Sequence, residues 1–274
     1  MPAADPRPPL DGFRCPICAG ALHPEGAALR CGSGHAFDVA REGYVNLLPS
    51  HHRRSARAGD SAEMVAARRA FLAAGHYEPL EQALGAFSTD LGGGAGAVLD
   101  VGCGEGTLTA ALAGERVHGV DISRPAIRTA RRSFPDRVFA VASGKRLPFG
   151  DGAFDLLCVA MAPLFDDALR VLGAEGRLLR VSPGADHLVG LKEHVYARAR
   201  PHDRAPLALA GLRHVREVRV RFTCTLDAED RARLVAMTPM RHRAPQARLA
   251  HAIEAGPEEV VADFVLDAFA RETV

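Results

Sequence analysis

Two groups of residues in this chain have the types and spacing to do chemistry. The first is Cys15-Pro16-Ile17-Cys18, followed after twelve residues by Cys31-Gly32-Ser33-Gly34-His35. Two tight turns that each present two ligands close a tetrahedron, the coordination of a structural zinc ion. The expected ligands are Cys15, Cys18, Cys31 and His35, with His23 in reserve. All four positions are filled by protein, so the site reads as closed and structural rather than catalytic. A segment this short buries too little apolar surface to fold alone, and the metal would supply its folding energy. The second group is Val98-Leu99-Asp100-Val101-Gly102-Cys103-Gly104-Glu105-Gly106-Thr107, where a β-prone apolar run enters a glycine-rich turn. Helix-forming residues follow, from Leu108 to Ala113. A strand, a tight loop and a helix start seat a nucleotide-like ligand on backbone N–H groups. A Cβ at Gly102 or Gly104 would hold that ligand off. Thr107 stands where a dinucleotide fingerprint has its third glycine, and no Gly-Lys-Ser/Thr ending follows. The next strand, Val117 to Val120, ends at Asp121, a carboxylate placed to accept hydrogen bonds from two ribose hydroxyls.

Together, Asp100, the glycine turn and Asp121 resemble the first motif and the acidic residue of the S-adenosylmethionine (AdoMet)-dependent methyltransferases. Elements alternating between helix and strand must carry them, which predicts a Rossmann-like α/β domain with a parallel sheet covered on both faces. Helix is expected over 124–133, strand over 137–141 and a buried strand over 154–160. Ala142 and Ser143 end one strand, at a position that in this fold lies near the adenine. A short helix over 168–172 and a fifth strand over 177–181 follow, then an alternating edge strand over 212–226. An amphipathic helix over 227–237 and a last strand over 264–269 complete the reading.

Ahead of this domain, Asp60-Ser61-Ala62-Glu63 reads as a capping box. Met64, Ala67, Phe71 and Leu72 recur at helical spacing, with Arg68 and Arg69 outward, until Gly75 stops the helix. A second helix runs over 80–87, and the glycines at 92–94 and 96 read as a flexible joint. The expected organisation is therefore a disordered tail (1–11), a zinc-binding module (12–50), a basic linker with two helices (51–96) and the methyltransferase domain (97–274). Phe37, Tyr44, Val45 and Leu47 are placed to pack on the zinc module.

With 274 residues and 47% apolar content, the chain is long enough for one large domain plus a small module. No run of 18 apolar residues and no apolar signal region occur, so neither a membrane span nor a secretory signal is expected. A net charge of +1 carries no global nucleic-acid signature, so an RNA surface must be a local patch. His51, His52, Arg53, Arg54 and Arg57 form one such run, either a solvated linker or a phosphate-contacting arm. Six cysteines split as a cluster of three and three isolated ones read as a metal site in a cytoplasmic protein, not as a disulfide framework.

Several phrases carry a more specific resemblance. Phe37-Asp38-x-Ala-x-Glu42-Gly43-Tyr44-Val45-Asn46-Leu47-Leu48-Pro49 and Gly59-Asp60-Ser61-Ala62-Glu63-Met64 through Gly75-His76-Tyr77 join the cysteine pattern. Leu147-Pro148-Phe149, Ala162-Pro163 and Pro183-Gly184-x-x-His187-Leu188 continue it. Over roughly residues 12–240 the chain resembles the bacterial 23S rRNA guanine-N1 methyltransferases of the RlmA type, whose relatives include macrolide-resistance enzymes of antibiotic producers. The resemblance implies methyl transfer from AdoMet to N1 of a guanine in a 23S rRNA hairpin near the peptide exit tunnel. It also implies that Tyr77 and His187 help hold AdoMet alongside Gly104 and Glu105. Three features depart from the family: a shorter Ala162-Pro163 loop, Ala174-Glu175-Gly176 for Pro-Gly-Gly, and no tryptophan after Thr238-Pro239. The alternative substrate is a small molecule of an antibiotic pathway, methylated on the same scaffold, and a catalytically silent RNA-binding module is a third reading. Asp166, Asp167 and Glu193 stand where a base could act, yet none is identified as catalytic. A homodimer would suit a wide RNA footprint, although no residue pattern demands one.

Overall fold

The computed structural model describes residues 10–49, 59–198, 202 and 211–272. The basic run from His51 to Arg57 and residues 1–9 of the tail lie outside the described residues. Leu10 packs at the margin of the core, and Asp11 pairs with Arg116 at 3.3 Å.

The N-terminal strands β1 (Leu22–Glu25), β2 (Ala28–Cys31) and β3 (Ala36–Asp38) form a small antiparallel sheet in that order. A second sheet has eight strands. Its parallel part comprises β4 (Val45–Asn46), β5 (Ala97–Val101), β6 (Arg116–Asp121), β7 (Val138–Val141), β8 (Phe154–Ala160) and β9 (Leu172–Pro183). The long strands β10 (Leu212–Thr225) and β11 (Glu259–Arg271) complete it, giving the order β10-β11-β9-β8-β5-β6-β7-β4. β11 is antiparallel to both of its neighbours and is buried along most of its length. β8 lies at the centre and reads as a near-continuous apolar run, as a strand covered on both faces should. β10 is the expected edge strand, with Val218, Val220 and Phe222 half-buried between exposed residues.

Helices cover the sheet. α1 (Ala62–Ala73) starts at Ser61, whose hydroxyl accepts from the Met64 N–H at 3.3 Å, and Gly75 follows its end at φ +82°. The cap is thus Ser61 rather than Asp60, whose carboxylate is held by Arg68. α2 (Glu78–Asp90) turns Leu80, Leu84 and Phe87 into the core. α3 (Thr107–Ala111) and α4 (Arg124–Ser133) follow β5 and β6, and α5 (Asp167–Val171) precedes β9. α6 (Val189–Val195), α7 (Ala228–Met237), α8 (Met240–Arg243) and α9 (Gln246–Ala255) lie between β9 and β11 in sequence.

Two expectations are corrected by packing. The glycine stretch before β5 is a close-packed 3₁₀ turn, not a flexible joint. A Cβ on Gly93 would lie 2.7 Å from the Ala113 carbonyl oxygen, and one on Gly96 would lie 2.7 Å from Asp155. Nor do Tyr44, Val45 and Leu47 serve only the cysteine-bearing segment. Val45 pairs with Ala140 of β7, and the Leu47 N–H donates to the Val141 carbonyl at 2.9 Å. Leu22, Leu29, Val45 and Leu47 share one buried cluster with Leu99, Val101 and Leu157 of the main sheet. The small segment is therefore stitched onto the large one by both backbone and core.

Candidate functional site

The four expected metal ligands meet at the tip of the small sheet. Donor atoms of Cys15, Cys18, Cys31 and His35 all lie within 4.8 Å of one another. Cys18 Sγ is 3.6 Å from Cys31 Sγ, and His35 Nδ1 is 3.4 Å from Cys31 Sγ and 3.7 Å from Cys15 Sγ. Zn–S bonds of ~2.3 Å and Zn–N bonds of ~2.0 Å at tetrahedral angles give ligand–ligand edges of about 3.5–3.8 Å. The donor set thus has the spacing of a tetrahedral ion. Hydrogen bonding from the Gly20 backbone N–H and contacts with Ser33 and His35 hold the Cys18 thiol down at about 6, the thiolate form a metal takes. His23 is exposed on β1 and stands outside this group, so His35 is the fourth donor.

The second site lies along the carboxyl edge of the main sheet, where open α/β sheets bind ligands. Residues following β9, β8, β5, β6 and β7 line it in that spatial order. At its centre, Gly102 has φ +79° and Gly104 φ +56°. A Cβ on Gly102 would lie 2.5 Å from the Ala162 Cβ, so backbone alone fits beneath the loop after β8. Gly106 has a different duty, since its missing Cβ would lie 2.8 Å from Ala130 of α4. Asp121 braces the turn: its carboxylate accepts from Gly104 N–H at 3.0 Å and from Ser123 N–H at 2.7 Å. Its neighbour Ala142 donates its N–H to the Asp121 carbonyl at 2.9 Å, and the Ser143 hydroxyl accepts from Lys145 N–H at 3.3 Å.

Asp100 is buried below the loop. One carboxylate oxygen accepts from the Thr109 hydroxyl at 2.6 Å, while the other has no partner. Burial pushes this carboxyl up to about 7. An unpartnered buried oxygen beside a cradle that admits no Cβ fits a polar ligand seated on the loop. Glu105 is turned inward, accepting from the Thr107 N–H at 3.1 Å and hydroxyl at 2.9 Å. Its carboxylate is thus engaged within the loop.

Tyr77 and His187 are both buried and are joined through Phe264. The ring of Phe264 lies 5.1 Å from Tyr77 and 4.5 Å from His187. His187 Nδ1 accepts from the Asp263 N–H at 3.3 Å, which leaves the proton on Nε2. Burial lowers this imidazole to about 3, so it is neutral. Asp167, one of the acidic groups near the expected site, is committed to Arg170 at 2.7 Å and to the Leu147 N–H.

Three site residues escaped the sequence reading. Arg68 and Arg69 do not face outward, because α1 is covered by α7 on one side and α4 on the other. Arg68 pairs with Asp60, donates to the Met237 carbonyl at 3.1 Å and stands over Gly104. Arg69 donates to the Thr107 hydroxyl at 3.0 Å and lies 3.6 Å from Glu105. Met161, after β8, has φ +52° and is 48% exposed. A non-glycine residue in that region is uncommon, and Met161 directly precedes Ala162, which packs over Gly102. Its only sequence signal was its place before Ala162-Pro163.

Comparison with known proteins gives this arrangement its class. Residues 98–181 match a family described as a methyltransferase domain, which covers the glycine loop, Asp121 and Ala162. Residues 13–56 match the zinc-ribbon family described as the RlmA N-terminal segment, which covers all four converging donors. The chain is 40% identical over 240 residues to a 23S rRNA (guanine(748)-N(1))-methyltransferase of Streptomyces fradiae, covering 83% of this chain and 84% of that protein. It is 37% identical over 279 residues to a Micromonospora griseorubida protein assigned as a 23S rRNA (guanine-N1)-methyltransferase, covering 92% and 94%. A Bacillus subtilis protein with the same assignment is 31% identical over 269 residues, again covering 92% and 94%. The chain belongs to the 23S rRNA (guanine-N1)-methyltransferase family.

Proposed function

We propose that this protein transfers a methyl group from AdoMet to N1 of a guanine in a 23S rRNA hairpin, at the base corresponding to guanine 748. The observation that carries the reading is the 40% identity to the Streptomyces fradiae enzyme over 83% of this chain and 84% of that protein. AdoMet supplies an electrophilic methyl group on a sulfonium. Gly102 and Gly104 let the main chain approach that cofactor, and Asp121 retains free lone pairs for its ribose hydroxyls. Ala142 and Ser143 would border the adenine, and Asp100, Tyr77 and His187 would help hold the rest of the cofactor. Glu105 contributes its place in the turn. Cys15, Cys18, Cys31 and His35 would hold a zinc ion that fixes the small sheet. A paired guanine hides its N1 in the duplex, so the target base is taken out of its stack. Met161 supplies an apolar surface for it at the carboxyl edge.

Incubation with tritiated AdoMet and 23S rRNA lacking its guanine-N1 methyl groups tests this reading. Label should enter RNA and be recovered as 1-methylguanosine after digestion to nucleosides. Label recovered in another nucleoside, or none in RNA from a protein that binds AdoMet, would overturn it. Met161→Ala should lower the rate of transfer about tenfold or more while leaving AdoMet affinity within about twofold, as loss of a positioning contact does. Equal loss of AdoMet affinity would place Met161 in the cofactor site instead.

A further inference from the structure

A groove crosses the seam between the small sheet and α4, away from the glycine loop. It has two lobes of about 850 and 420 Å³ that share Ala40, Tyr44 and Arg124. Pocket volumes for small molecules run from roughly 300 to 1,000 Å³, so the two lobes together exceed what one such ligand fills. The segment between β3 and β4 forms one wall, and Ala62, Val65 and Ala66 at the start of α1 form another. Arg124, Arg128 and Arg132 stand along its floor at intervals of four residues, which places them on one face of α4. They rise about 6 Å apart, similar to the step between successive phosphates on a single strand. Arg41 reaches in from the opposite wall with 83% of its side chain exposed.

The charges are held ready rather than cancelled. Glu42 accepts from Arg128 at 2.8 Å and from Arg132 at 2.9 Å, and Tyr44 Oη accepts from Arg124 Nε at 3.2 Å. About half of each of the Arg128 and Arg132 side chains remains in solvent. Four arginines face two carboxylates, Asp38 and Glu42, so the groove keeps a positive excess. Ile17 is 54% exposed on the second lobe, an apolar surface beside the charged track. Arg124 begins α4 three residues after Asp121 and directly after its Ser123 cap. The track therefore starts at the carboxyl edge and leads away from it.

We infer that this groove seats the sugar–phosphate backbone of the RNA that flanks the target base, with Arg124, Arg128 and Arg132 on successive phosphates. The inference rests on the rRNA reading above. Guanidinium groups suit phosphate contacts, and Glu42 fixes their spacing before RNA arrives. The N-terminal segment then has a role beyond folding, because its link between β3 and β4 supplies Arg41, Glu42 and Tyr44.

The test measures binding of a 23S rRNA fragment holding the target hairpin as a function of salt. Wild type is compared with the triple variant R124Q/R128Q/R132Q and with R124K/R128K/R132K. Each phosphate contact on a single strand contributes about 0.7 to the slope of log K against log salt. The glutamine variant should lose about 2 from that slope and roughly tenfold or more in affinity near 0.1 M salt. The lysine variant should keep most of the slope, with AdoMet affinity and zinc content of both equal to wild type. An unchanged slope in the glutamine variant overturns the groove, as does an equal loss in the lysine variant, which would mark a structural role beside Glu42. Wild type that methylates rRNA while the variant slope stays put fails the groove alone. Wild type that neither binds nor methylates rRNA fails the parent reading, and the groove with it.

Discussion

Gly102 carries the tightest steric limit in the loop, since both its φ of +79° and its 2.5 Å approach to Ala162 exclude a side chain. Gly102→Ala should therefore cost about 1–2 kcal/mol in backbone strain, with more from the clash. Calorimetry should show AdoMet affinity reduced at least about tenfold, and thermal unfolding a lower midpoint. Asp100 offers a pH test. Its buried carboxyl titrates near 7 against an ordinary value of 3.8, so the native state keeps this proton longer than the unfolded chain does. The contribution to stability is complete below the ordinary value and is lost as pH rises through about 7. Urea unfolding of wild type and Asp100→Asn should show wild type losing stability relative to the variant from about pH 4 to 7, levelling off above about pH 8. A difference independent of pH would contradict the burial argument. Most loop residues were legible because glycine spacing and strand ends are local signals. Arg68 and Arg69 were not, because their direction depends on α7, a helix more than 150 positions away in sequence.

Among the elements, strands β5 to β9 were readable from apolar runs, and β10 from its alternation. β4 was not, because two residues carry no periodicity and their pairing with β7 is settled by tertiary contact alone. α8 and α9 also escaped, since Met240–Arg243 is one turn of basic residues and Gln246–Ala255 starts after a proline without a side-chain cap. The stitching through β4 makes a prediction about metal. Chelation, or Cys31→Ser, should release one zinc ion per chain and raise amide exchange at Leu47, which bonds to Val141 across the seam. Protection at Leu99 in the central sheet should fall far less. Unchanged exchange at Leu47 in the metal-free protein would show that the small segment holds its place without an ion.

In the whole molecule, the cysteine-bearing segment and α1 each share a buried cluster with the methyltransferase sheet, the first with Leu99 and Leu157 and the second with Val98 and Leu156. Arg68 ties α1 to α7 and stands over the glycine loop, while α4 meets the cysteine-bearing segment through Glu42 and the Gly43 carbonyl. Among the described residues no helix is long and apolar enough to cross a membrane. On the reading proposed above, this assembly modifies one guanine at N1, the edge that pairs with cytosine. Primer extension on 23S rRNA treated with the protein and AdoMet tests it most directly, because an N1 methyl blocks reverse transcription. One new AdoMet-dependent stop is expected immediately before the base corresponding to guanine 748, and it should disappear with Gly102→Ala. Absence of any stop, in protein shown by calorimetry to bind AdoMet, would contradict it.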